Sequence, residues 1–70
     1  MEANNDNLAA DVLKGAAEIA AFLGEDTRSI FYMISKGVIP HYRMGESIRA
    51  RKSALRDWVA KQEAQAGAAA

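Results

Sequence analysis

Between Thr27 and Lys61 the chain carries eight Arg and Lys residues against two acids, Glu46 and Asp57. Guanidinium and ammonium groups at this density pair with phosphates, so the chemistry on offer is polyanion binding. The stretch from Met1 to Asp26 has the opposite sign, with six acids and one base. A formal net charge of zero therefore conceals a basic module behind an acidic start. Catalysis finds no matching set: there is no nucleophile beside a His base, no carboxylate pair within one element and no glycine loop of phosphate-binding type. His41 stands alone beside Pro40, with no second His and no Cys to complete a metal site. We expect no enzymatic activity and no cofactor.

The elements that must position these bases follow from periodicity. Ala16, Ile19, Ala20 and Leu23 recur at the spacing of one buried helix face, so a first helix is predicted from Gly15 to Leu23, with Gly15 as its N-cap and Gly24 as its stop. After a short turn, Asp26 is placed to cap a second helix, whose apolar stripe is Ile30, Met33 and Ile34 and which ends at Gly37 before Pro40. At 100° per residue the opposite side holds Arg28, Tyr32 and Ser35, with Lys36 at its edge. Phe31 lies nearer the stripe and is assigned to packing. Two helices joined this way match the helix-turn-helix pattern.

The runs Ile39 to Met44 and Ile48 to Arg51 alternate as hairpin strands do. A three-residue connection, Gly45-Glu46-Ser47, pairs Met44 with Ile48 and Tyr42 with Ala50 and gathers the apolar groups on one face. A two-residue Gly45-Glu46 turn would set Arg43 beside Ile48, so the longer loop is expected. It puts Arg43 opposite Arg49, with Arg51 and His41 on the same outer face. Like charges paired across strands repel, which makes sense on a face that meets phosphate. A last helix is predicted from Lys52 or Ser53 to about Glu63, with Leu55, Trp58, Val59 and Gln62 on one face and Trp58 as the largest core anchor. Arg56 and Lys61 add to the basic surface. Tyr42 and Met44 read as core.

Seventy residues allow one small domain. No cysteine staples it, no apolar run approaches a bilayer span, and the polar, acidic start lacks the pattern of a secretory signal. A cytoplasmic protein is expected. Its parts would be a flexible acidic leader at 1–12, the domain at 13–63 and a flexible Ala-rich tail at 64–70. The leader acids Glu2, Asp6 and Asp11 suggest transient competition with phosphate for the wing.

Taken together, Ala16-Ala17-Glu18-Ile19-Ala20, Leu23-Gly24, Asp26 to Ile34, Gly37-Val38-Ile39-Pro40, Tyr42-Arg43-Met44-Gly45, Arg49, Leu55 and Trp58 resemble the excisionase-type, MerR-like helix-turn-helix family. The resemblance covers about Leu13 to Val59. It implies a mainly α fold with a small β-hairpin, a winged helix-turn-helix of three helices plus a two-stranded antiparallel wing. It implies double-stranded DNA as partner, with Thr27, Arg28 and Tyr32 facing bases and Ser35, Lys36, Arg43, Arg49, Arg51 and Lys52 on the backbone or in the wing. Gly15 stands where a capping Thr or Ser is usual, and Gly45-Glu46-Ser47 replaces a more basic wing tip. The roles implied are an excisionase-like recombination directionality factor, working with a recombinase (integrase), or a transcriptional regulator working with RNA polymerase. Cooperative self-association on DNA fits so small a module. The alternative from another class is a protein-interaction adaptor that keeps the fold without binding DNA.

Overall fold

The computed structural model describes residues 8–69. Along the chain lie α1 (Leu8–Asp11), β1 (Val12–Lys14), α2 (Gly15–Leu23), α3 (Thr27–Ser35), β2 (Tyr42–Met44), β3 (Ser47–Arg51) and α4 (Lys52–Ala69). The fold is mainly α with a small antiparallel sheet. No helix of the described residues is long and apolar enough to cross a membrane.

Local signals place the two central helices. The Gly24 N–H donates to Ala20 O from a left-handed residue, φ +74°, and the Glu25 N–H donates to the same carbonyl at 2.9 Å, which closes α2. Asp26 is extended and its carboxylate accepts the Ser29 N–H at 2.7 Å, satisfying a donor that the first turn of α3 would otherwise leave bare. At the far end Val38 N–H donates to Met33 O and Gly37 N–H to Ile34 O, each at 3.0 Å, with Gly37 at φ +68°. That double bond pattern is the glycine-terminated stop anticipated from Gly37 and Pro40.

The start of α2 differs from expectation. Lys14, not Gly15, occupies the capping position, and its side chain makes no cap. Glu18 makes only the reciprocal half of a cap, its Oε1 accepting the Lys14 N–H at 2.7 Å. Gly15 turns the chain from strand to helix at φ +86°, a conformation open to glycine and strained for a Thr or Ser.

The sheet has three strands, in the order β1-β3-β2, where a two-stranded wing was expected. β1 pairs antiparallel with β3 through Val12–Arg51, Leu13–Ala50 and Lys14–Arg49. α1 and Val12 thus belong to the folded unit although they fall in the expected leader; residues 1–7 lie outside the described part. The hairpin register is also corrected. Tyr42 pairs with Arg49, Arg43 with Ile48 and Met44 with Ser47, so the turn is the two-residue Gly45-Glu46. Gly45 has φ +65° and Glu46 does not have positive φ, the pattern of the II′ hairpin turn, whose twist suits the strands. No residue of β2 is buried, so burial exerts no pull toward the apolar register and turn chemistry decides.

Leu13 and Ala50, on the inner face of the sheet, join Ala16, Ile19 and Ala20 of α2, Ile30 and Ile34 of α3, Ile39 and Leu55 in one core. Ile19, Ile30 and Leu55 are its largest fully buried side chains. Burying each contributes roughly 1.5–3 kcal/mol of transfer free energy. Trp58, expected as the main anchor, is only partly buried against this cluster, as are Phe22, Leu23, Met33 and Ile48. The cause is the direction of α4, whose contact with the core fades after Leu55 through half-buried Trp58 and Val59 and which is exposed from Ala60 to Gly67. The helix continues beyond the expected Glu63 because Ala64, Ala66, Ala68 and Ala69 favour helix without needing a core contact. Tyr42 and Met44, expected inside, are exposed.

Candidate nucleic-acid interface

α3 is a nine-residue helix with one side in the core and the other in solvent. Ile30 and Ile34 define the inner direction, and the outward arc runs through Phe31, Ser35, Arg28, Tyr32 and Lys36, all exposed, with Thr27 exposed at the start. The helix is roughly 13 Å long, close to the approximately 12 Å width of the major groove of B-DNA. Arg28, Ser29, Tyr32 and Met33 line an open depression of about 470 Å³ on this side. The Lys36 Nζ sits 5.6 Å from the centre of the Tyr32 ring, so the ring and the ammonium are held on the same surface. Ser35 turns its hydroxyl back on the helix, donating to Tyr32 O at 2.8 Å. Asp26, the acid nearest this arc, is occupied by the Ser29 N–H, and that bond holds its carboxyl below the usual carboxylate value.

Phe31 is the residue misplaced by sequence reasoning. It was assigned to packing, yet it is 52% exposed and Tyr32 is 62% exposed. On the wheel Phe31 neighbours Ser35 and Arg28 as closely as the apolar stripe, and the core around Ile30 and Ile34 is too narrow to cover it.

The remaining bases are sorted by the register. Inner-face residues of the sheet are Leu13, Ala50, Ile48 and, across from Ile48, Arg43. Lys14, Arg49 and Tyr42 form a row on the outer face, with Arg51 beside Val12 on that same face. Arg43 therefore projects on the side of the helices, and Arg49 and Arg51 on the opposite side, in place of one shared outer face.

Several bases are already engaged. The Arg51 Nε donates to Asp11 Oδ2 at 3.0 Å, and the other contacts of that carboxylate are the Ser53 N–H at 3.0 Å and the Ser53 hydroxyl at 2.7 Å. The Ser53 hydroxyl bond is the main reason the Asp11 carboxyl sits below its usual value, with the Ser53 N–H and the Arg51 guanidinium adding to it. Asp11 thus caps the start of α4 from forty-two residues away, a tertiary cap with no local sequence signal. The Lys61 ammonium is 3.3 Å from Asp57 one helical turn earlier, and the Arg56 guanidinium lies over the Phe22 ring at 5.3 Å. Arg28, Lys36, Arg43 and Lys52 have no acidic partner among the described residues. His41 Nδ1 lies 2.9 Å from Ile39 O, and no cluster of three or more His, Asp or Glu able to hold a metal exists among the described residues.

Two helices joined by Gly24-Glu25-Asp26, the first packed on the sheet and the second free on its outer side, define a helix-turn-helix protein. A family model described as a helix-turn-helix domain matches residues 15–63, and the chain belongs to that family, built on a DNA-binding motif. Neither a curated protein nor a solved structure shows significant similarity to it.

Proposed function

We propose that the protein is a cytoplasmic, non-catalytic winged helix-turn-helix module that binds duplex DNA sequence-specifically, with α3 in the major groove. The observation that carries this is the outward arc of α3: exposed Arg28, Phe31, Tyr32, Ser35 and Lys36, with no acid within the arc, on the second helix of a helix-turn-helix. Arg28 has the reach and the planar fork to read guanine, while Phe31 and Tyr32 offer apolar surface to thymine methyl groups. Thr27, at the start of α3, lies where this helix meets base edges or the adjacent phosphate. Lys36, Lys52 and Arg43 serve the phosphate backbone, with Ser35 beside them, and the β2–β3 hairpin fixes register along the duplex. Arg49 and Arg51 add to the positive field from the far face of the sheet.

The resemblance supports two roles within that reading, an excisionase-like directionality factor acting with an integrase, or a transcriptional regulator acting with RNA polymerase. In either role several copies bind cooperatively, because one module of this size covers little DNA. Selection of a preferred duplex from a random pool, followed by titration across salt, tests the central claim. A selected sequence with a steep fall of log affinity against log salt is expected. No enriched sequence, or a flat salt dependence, would replace DNA binding by the adaptor role. A circular-permutation bend together with integrase capture separates the directionality factor from the regulator.

A further inference from the structure

The outer face of the sheet is turned away from α2 and α3, so a duplex lying on α3 leaves it uncovered. The one-residue register shift gives this face its character. Tyr42 and Met44 come out of the expected core and join Val12 there, while Leu8 of α1 closes one end. With Lys14 and Arg49 these side chains line a depression of about 260 Å³. Leu8 is 54% and Met44 56% exposed, more apolar surface than a bare sheet face needs.

Its polar groups are unbalanced. Arg49 Nε is shielded from solvent and has no hydrogen-bond acceptor. A desolvated donor without a partner is costly, and the acceptor that best satisfies a guanidinium is a carboxylate. Lys14 adds a second positive charge in the same cross-strand row. The acid nearest Lys14 in sequence, Asp11, is taken by Arg51 and Ser53, and Glu46 at the hairpin turn makes no ion pair with Arg49. Leu8, Ala9, Val12 and Lys14 also precede the stretch matched by the helix-turn-helix family, so four of the seven residues lining this depression lie outside the matched region.

We infer that this face docks a segment of a partner polypeptide in which carboxylates alternate with large apolar side chains. The apolar walls disfavour a phosphate backbone, which offers them nothing to bury. A second copy presenting the same face would bring together two surfaces whose charges are both positive, Lys14 and Arg49 on each, so an isologous dimer is repelled. An acidic, apolar segment complements both features: its side chains cover Leu8, Tyr42 and Met44, and a carboxylate reaches Arg49 and Lys14. The protein then holds DNA on one side and a protein partner on the other.

The probe is a fluorescein-labelled peptide of alternating Leu and Glu, with a Leu and Gln peptide as its uncharged counterpart, titrated against the full chain without DNA. Saturable binding of the acidic peptide is expected, weakened about tenfold or more for the Gln peptide and by a similar factor in both Arg49→Gln and Lys14→Gln. Lys61→Gln, which removes a distant charge, should change it little. Amide shifts from the peptide should fall on Val12, Lys14, Tyr42, Met44 and Arg49. Circular dichroism establishes that each variant is folded, and Lys14→Gln keeps the test decisive should Arg49→Gln unfold. Absence of peptide binding, equal affinity for both peptides, or equal losses in Lys61→Gln overturns the inference. So does a short duplex that moves the Val12 and Lys14 amides of β1, which lie outside the DNA-bound hairpin, since DNA would then be the occupant.

Discussion

The sorting of bases between the two faces of the sheet makes a quantitative prediction about salt. With Arg43, Arg49 and Arg51 all on one DNA-facing wing, phosphate contacts would number five with Lys36 and Lys52, a slope of log affinity against log salt of about −4.5. Lys36, Arg43 and Lys52 have no acidic partner among the described residues and are the backbone contacts of the proposed complex, while the register turns Arg49 and Arg51 to the sheet face opposite Arg43. The expected slope then falls to about −2.7 per protein bound. Between roughly 50 and 200 mM salt, affinity should drop about 40-fold, where the single-face wing would lose about 500-fold. Substitution separates the contributions. Arg43→Gln should make the slope shallower by about 0.9, whereas Arg49→Gln should leave it nearly unchanged. Fluorescence anisotropy on a selected duplex at five or so salt concentrations measures both. A slope near −4.5, or equal slope losses for Arg43→Gln and Arg49→Gln, would refute the assignment of the two faces.

Three further outcomes follow from the packing and the turns. Leu55→Ala empties the centre of the core and should cost roughly 2–5 kcal/mol, a large share of the roughly 4–10 kcal/mol expected for a domain of this length; urea unfolding should show the midpoint collapse, and a loss under about 1 kcal/mol would contradict the placement of Leu55. Gly15→Ala meets no neighbouring atom but holds φ +86°, so it should destabilise by about 1–2 kcal/mol through backbone strain alone, while Gly67→Ala, in α4 without positive φ, should be neutral or mildly stabilising in the same thermal melts. Asp26 and Asp11 have folded carboxyl values below the ordinary 3.8, so the stability they add is present above that value and lost as pH falls through it toward their lower folded values; Asp26→Asn and Asp11→Asn should each flatten the fall in melting temperature below about pH 4, and an unchanged profile would show that these carboxylates do not carry it.

What could be read in the sequence divides along the range of the forces involved. α2 and α3 were legible because their ends are written in neighbouring residues: Gly24 and Gly37 take positive φ, and Asp26 lies three residues before the N–H it satisfies. The exposed set Arg28, Tyr32, Ser35 and Lys36 followed from the wheel once Ile30 and Ile34 were placed inside, whereas Thr27 came from the family resemblance alone. β1 was illegible because Val12-Leu13-Lys14 has no strand pattern of its own, and its pairing partner lies almost forty residues away in β3. Asp11 reads as a leader acid, and its capping role was invisible for the same reason, being fixed by Ser53 and Arg51 across the fold.

The hairpin register failed differently, and the failure bears on function. Gathering Tyr42, Met44 and Ile48 on one face assumed a core large enough to cover the whole hairpin. α2 packs on β1 and β3, and β2 lies beyond that cover, so its side chains gain little by turning inward. With burial indifferent, the glycine at the first turn position sets the pairing. Because side chains alternate, that single-residue choice moved Arg43 to the helix side and brought Tyr42 and Met44 beside Arg49. Gly45→Val opposes the positive φ that the two-residue turn requires, so it should favour a three-residue loop in the same length of chain, in which Ser47 joins the loop and Met44 pairs with Ile48 in the apolar register. It should therefore weaken both salt-dependent DNA binding through Arg43 and capture of an acidic, apolar peptide, while leaving the buried cluster and the thermal midpoint close to those of the parent.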